Sequence, residues 1–177
     1  MKRVYLLLVS MSYGIFITAS AFAAEGKAVI KSTSPEFNLS GVVKFKETDK
    51  GLEVLANLKD VPNLGKHGFH IHEKGNCSET GNAAGGHYNP LGVQHGLLAK
   101  DGEQMAHSGD LGNIEIAADG KGTLKGFLPG VSLRNGKYNV EGRAVILHEK
   151  QDDFGQPTGN AGARIGCGII EVMEKKP

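Results

Sequence analysis

Histidines are the residues of this chain best placed to do chemistry, and their spacing points to metal binding. There are seven: His67, His70, His72, His87, His95, His107 and His148. His70 and His72 stand two apart in Gly68-Phe-His-Ile-His-Glu73. On a strand, positions i and i+2 share a face, so their imidazoles lie side by side and can grip one ion, while Phe69 and Ile71 turn to the core. His67 shares the parity of Phe69 and Ile71 and is expected to face inward as a hydrogen-bonded structural residue. Further on stand His87, His95, His107 and Asp110, three imidazoles and a carboxylate, a donor set suited to closed tetrahedral zinc. His148 ends a run in which Ala144, Ile146 and His148 share a face, and it could complete the set begun by His70 and His72. Imidazoles without thiolate suit copper, zinc or nickel, and tetragonal nitrogen geometry favours Cu(II). Six nitrogens and one carboxylate are one donor short of two four-coordinate sites, unless one imidazole serves both.

The elements that must position these residues read as short strands. Runs at 28–31, 39–46, 52–58, 66–73, 113–117, 122–128, 140–148 and 166–173 are β-branched or alternate between apolar and polar. Thr48-Asp-Lys-Gly51 and Asp119-Gly-Lys121 are turn signals between neighbours. No segment has a long helical period. Eight such runs predict an all-β antiparallel sandwich or barrel. Two stretches fit no strand: 74–110, rich in Gly, Asn and His, and 149–164, polar and containing Pro157. Loops of that length in a compact domain are usually functional or disordered.

Composition narrows the partners and the compartment. Lys2 and Arg3 precede an uncharged stretch, Val4 to Ser20, and Ala21-Phe-Ala23 matches a signal-peptidase site, so residues 1–23 are expected to be a cleaved signal and 24–177 one domain. The apolar stretch is short of the ~20 residues of a membrane-spanning helix, and no membrane association is expected after cleavage. Loss of Lys2 and Arg3 would turn the formal charge of +1 into −1. That leaves no basic excess to attract nucleic acid. Cys77 and Cys167 are the only cysteines; in an exported chain an isolated pair favours one disulfide.

Four motifs carry a family resemblance. Gly68-Phe-His-Ile-His-Glu73, Gly86-His-Tyr-Asn-Pro90, His107-Ser-Gly-Asp-Leu-Gly-Asn113 and Gly159-Asn-Ala-Gly-Ala-Arg-Ile-Gly-Cys-Gly168 resemble, in order, the signatures of copper,zinc superoxide dismutases. The resemblance implies an eight-stranded Greek-key β-barrel with two long functional loops, one copper and one zinc per subunit, and superoxide as substrate. It implies copper on His70, His72, His87 and His148, and zinc on His87, His95, His107 and Asp110. His87 would then be the shared imidazole, a catalytic residue that takes a proton when its bond to reduced copper breaks. Arg164 matches the family's active-site arginine. Asp152 matches a carboxylate that ties His70 to His95, in keeping with the outer partners that ligating imidazoles usually have. Three departures set the chain apart from cytosolic eukaryotic members. The stretches from Cys77 to His87 and from His95 to His107 are longer, and the one from Glu149 to Ala163 is shorter and lacks a charged substrate-guiding run. This pattern is similar to bacterial exported forms and implies a periplasmic protein. It leaves oligomeric state open, a homodimer being one option. Rival readings are a metal-buffering protein, a zinc hydrolase and an adhesion sandwich. The hydrolase needs an open zinc position and a general base, for which no Glu is suitably placed.

Overall fold

The computed structural model describes residues 23–174, so residues 1–22 of the expected signal lie outside it. Each expected run is a strand: β1 Glu25–Ser32, β2 Ser40–Thr48, β3 Gly51–Lys59, β4 Gly65–His72, β5 Asp110–Ile116, β6 Gly122–Pro129, β7 Ala144–His148 and β8 Arg164–Met173. They close into an antiparallel barrel in the order β1-β2-β3-β6-β5-β4-β7-β8. This is the expected eight-stranded Greek-key barrel. No helix among the described residues is long and apolar enough to cross a membrane.

Alternation builds the interior. On β3, Leu52, Val54, Ala56 and Leu58 are buried, and they meet Val43 and Phe45 of β2 and Phe69 and Ile71 of β4 in one hydrophobic core. Full burial of a Phe45 or a Leu52 stabilises by roughly 1.5–3 kcal/mol. The β2–β3 hairpin pairs Thr48 with Gly51 across a two-residue turn, as the turn signal there requires.

Two differences from the sequence reading bear on the site. β7 begins at Ala144 rather than Val140. Residues 140–143 form a turn, closed by Arg143 N–H to Val140 O at 3.1 Å and entered through Gly142 at φ 74°. The 74–110 loop also contains a 3-10 segment, Glu79–Ala84, and a single helical turn, α1 (Leu98–Asp101). Both are too short to leave a readable period.

The site side of β4 is buried as deeply as its core side: every residue from His67 to His72 is buried. The long loops fold down over it. Cys77 and Cys167 form a disulfide with Cα atoms 5.8 Å apart, fastening the first loop to β8. Under this tether Ala84, Ala144, Ile146 and Cys167 make a second, smaller apolar cluster. His67 lies inward, as its parity predicted: Nδ1 meets His148 O at 2.8 Å and Nε2 meets Asn63 O at 2.9 Å.

Candidate metal centre

Four neighbouring strands, β5, β4, β7 and β8, carry the fixed half of the site. Their ladders set His70 opposite Asp110 of β5 and Ile146 of β7, and His148 opposite Arg164 of β8. Register is therefore what brings β4's pair of histidines beside residues distant in the chain. The loops supply the rest. His87 bridges to His72 as an isolated β-pair, and Tyr88 N–H donates to Ile71 O at 2.8 Å. His95 and His107 follow on the same loop. Asp152 comes from the second loop and is fully buried.

His70, His72, His87 and His148 converge as one buried group, and His87, His95, His107 and Asp110 as another, with the donor atoms in each within 4.8 Å of one another. His87 belongs to both. A third group, His70, His95 and Asp152, joins them from outside.

The hydrogen bonds show which nitrogen each imidazole offers in the first group. His72 Nδ1–H donates to Gly85 O at 2.9 Å, and His148 Nδ1–H to Gly162 O at 3.2 Å. Their Nε2 atoms then face one another at 3.3 Å. His70 Nε2–H donates to Asp152 Oδ2 at 2.8 Å, which leaves its buried Nδ1 with no partner among the described residues. Burial, and then the neighbouring imidazoles, hold His72 neutral down to about 2 and His148 down to about 3. The Nε2 atoms of His72 and His148 and the unpartnered Nδ1 of His70 thus share one buried space. An orphaned nitrogen costs free energy there, and a cation satisfies all three. The residues fit a metal.

The second group is organised around Asp110. His87 Nδ1 and His95 Nδ1 lie 2.9 and 2.8 Å from its carboxylate, and His107 Nδ1 lies 3.3 Å away. Backbone N–H groups of Gly96 and His107 each donate to Oδ2 at 3.0 Å. Burial works to raise the Asp110 pKa, but the bonds from His107, His87 and His95 outweigh it and hold the carboxyl well below its usual range. Burial lowers His87 to about 4, against the opposing pull of Asp110. His95 is different: burial is outweighed by its bonds to Asp110 and Asp152, and its pKa rises to about 9.

Asp152 ties the two groups together. It accepts from His70, and from His95 Nε2–H at 2.9 Å, and lies 2.8 Å from Phe154 N–H. Asn113 clamps its backbone through two reciprocal bonds of 2.8 and 2.9 Å. Gly159, at φ 74°, closes over it: a Cβ there would run into the Asp152 carboxylate and come within 2.7 Å of His95 Nε2. A glycine is needed at this point for both conformation and room.

Arg164 begins β8 and is half-buried. Its Nη1 donates to Gly81 O at 2.6 Å and Asn82 O at 3.2 Å, and its Nη2 to Gly85 O at 2.6 Å. Gly85 O also accepts from His72, so one carbonyl links the guanidinium to a histidine of the first group. Its charge helps to keep both His72 and His148 neutral. The position of Arg164 is set by the strand ladder and these loop carbonyls. Sequence reading had given no role to Asn113, Gln156 or the Gly85 and Gly162 carbonyls. Asn113 and Gly162 stood inside quoted motifs; Gln156 and Gly85 left no signal.

The chain matches the family model described as copper/zinc superoxide dismutase over residues 39–170. It is 41% identical to an extracellular Cu-Zn superoxide dismutase of Caenorhabditis elegans over 78% of this chain and 63% of that one. It is 35% identical to a Cu-Zn superoxide dismutase of Aquifex aeolicus over 88% of this chain and 93% of the relative. A superoxide dismutase-like protein of Bacillus subtilis is 39% identical over 82% of this chain and 71% of its own length. Among solved structures, a chain described as the clock protein EA4 superposes with a TM-score of 0.74 at 32% identity, covering 92% of this chain and 100% of its own. The family match runs from the edge of β2 into β8 and takes in every residue of both converging groups, so the chain belongs to the copper/zinc superoxide dismutase family.

Proposed function

We propose that this protein disproportionates superoxide to oxygen and hydrogen peroxide, with one copper and one zinc per subunit, outside the cytoplasm. The observation that carries the reading is the imidazole shared between two converging donor groups. His70, His72, His87 and His148 are assigned to copper, and His87, His95, His107 and Asp110 to zinc. All-imidazole donors suit copper, and the carboxylate-containing set suits a closed zinc site. Bound copper would supply the one-electron exchange, taking an electron from one superoxide and giving it to a second, which leaves with two protons as hydrogen peroxide.

The chain's own residues do the rest. His72 and His148 stay neutral, so their Nε2 lone pairs need shed no proton to ligate. Asp152 orients the rings of His70 and His95 by accepting their Nε2–H protons, a typical outer-shell role. His87 offers Nδ1 on the Asp110 side, which leaves Nε2 for the other group. Held on its Nδ1 side, it can pick up and release a proton at Nε2 without leaving its place. Arg164, cross-strand from His148, attracts and orients the small anion with donors its carbonyl partners leave free; guanidinium stays charged at any working pH.

The finer setting is read as a bacterial exported, periplasmic form. It rests on the signal pattern of residues 1–23, the disulfide and the extracellular name of the Caenorhabditis elegans relative. The domain is assigned to residues 24–177, free of membrane and nucleic acid. A homodimer is one option for its assembly.

The test is the decay of a superoxide pulse. Protein loaded with both metals should accelerate decay catalytically, and metal-free protein should not. Loaded protein that binds both metals one to one without accelerating decay would favour a buffering role instead.

A further inference from the structure

We propose that Gln156 is a positioning residue for His95, a side-chain clamp through which the second loop holds this ligand in place and slows the release of zinc. The inference rests on the assignment of His95 to zinc made above.

His95 is the ligand with the least backbone support. His70, His72, His148 and Asp110 sit on strands. His87 is bridged to His72, and His107 is bonded to Asp110 through both its N–H and its C=O. His95 lies on irregular loop just before α1. Among the described residues, its backbone pairs only with Gln156. His95 N–H donates to Gln156 Oε1 at 2.9 Å, and Gln156 Nε2–H donates to His95 O at 2.9 Å. One primary amide thus satisfies both backbone groups, as a neighbouring strand would.

The contact belongs to a wider grip. Asp152 holds His95 Nε2. The Phe154 ring lies nearly parallel to the imidazole, tilted by 21° with centroids 6.1 Å apart. Phe154 adopts φ 60°, a left-handed conformation rare for an aromatic residue, and its N–H is held by Asp152 Oδ1. Residues 152, 154 and 156 therefore meet His95 at its ring nitrogen, its ring face and its backbone. Asp152 fixes the rotation of the ring; only Gln156 fixes the backbone that carries it. With that amide gone, His95 is free to drift from Asp110, and a ligand that drifts lets go of its ion sooner.

The test is zinc transfer from zinc-loaded, copper-free protein with its disulfide intact to excess chromophoric chelator. Gln156→Leu removes both bonds at similar volume, and zinc release should quicken by about tenfold or more, within the 10–100-fold usual for loss of an outer partner. Gln156→Glu keeps the acceptor for His95 N–H and should fall between the two. The melting temperature should drop more in the zinc-loaded Gln156→Leu protein than in its metal-free form, because the clamp acts on bound metal. An unchanged release rate, or equal melting losses with and without zinc, would reduce Gln156 to a structural contact and overturn the proposal. His95→Ala separates the two levels of inference. If it holds zinc as tightly as the wild type, the ligand assignment fails and the clamp with it. If it loses zinc while Gln156→Leu does not, only the clamp fails.

Discussion

At the scale of single residues, the site depends on three imidazoles kept neutral, those of His72, His87 and His148, and on the guanidinium of Arg164. Arg164 is the residue proposed to present its charge to the substrate. Arg164→Ile should leave the copper spectrum nearly unchanged and lower the catalytic rate by about tenfold or more, as for a charge-assisted contact of roughly 1.5–3 kcal/mol. Added salt should slow the wild type, since attraction is screened over ~10 Å at 0.1 M, and should slow the variant less. Wild-type activity with wild-type salt dependence in Arg164→Ile would remove the arginine from the mechanism. The buried histidines also set an acid limit for the metal-free protein. His72, His87 and His148 have folded pKa values of about 2, 4 and 3 against 6.5 when exposed. Below 6.5 the unfolded chain binds more protons, so stability present above that pH is lost as pH falls towards 4 and below. The depressed carboxyls of Asp110 and Asp152 act in the same sense at lower pH. His95, raised to about 9, acts oppositely: its contribution is whole below 6.5 and is lost as pH rises through 9. The melting temperature of metal-free protein should therefore decline from pH 6.5 to 4, and a flat profile would contradict neutral burial.

At the scale of elements, two loops and one disulfide turn an exposed barrel face into an enclosed site. The Cys77–Cys167 bond closes a loop of 90 residues. In the chain-entropy model such a link stabilises by about 4–5 kcal/mol. It also holds the 3-10 segment whose carbonyls clamp Arg164, and Gly85 O beyond it, which His72 shares. Reduction should then do more than lower the melting temperature. It should loosen Arg164 and the His72 ring together, so activity should fall while most of the metal stays bound to the strand-held residues. Thiol reduction that lowers stability but spares the rate would show that the loop carbonyls do not position the arginine.

At the scale of the whole molecule, the barrel is the rigid frame and the ligands gather on one outer side of it. Closure pairs β1 with β8, while β5 and β6 meet at a single pair, Ile116 with Gly122. The frame carries almost no net charge to draw in an anion, which places the burden of substrate attraction on local cations such as Arg164. Export is the remaining proposal at this scale. Expressed in a bacterial host, the protein should appear in the periplasmic fraction with Ala24 as its first residue, checked by N-terminal sequencing. A product that keeps residues 1–23 in the cytoplasm would overturn the signal reading.

The sequence by itself determined the strand faces, the identity of the converging donors and the pairing of the only two cysteines. Those properties are local or countable: alternation assigns Phe69 and Ile71 inward and His70 and His72 outward whatever the rest of the chain does. It also placed His67 inward, where the structure finds it bonded to His148 O and Asn63 O. Tertiary structure alone decided which nitrogen each imidazole presents, because that choice follows from partners far along the chain: Gly85 and Gly162 carbonyls for His72 and His148, the Asp152 carboxylate for His70. A backbone carbonyl has no residue type to recognise, so no pattern could have announced it. Nor could any pattern announce Gln156, an ordinary polar residue in a polar loop until folding lays its amide against the backbone of His95, 61 positions away.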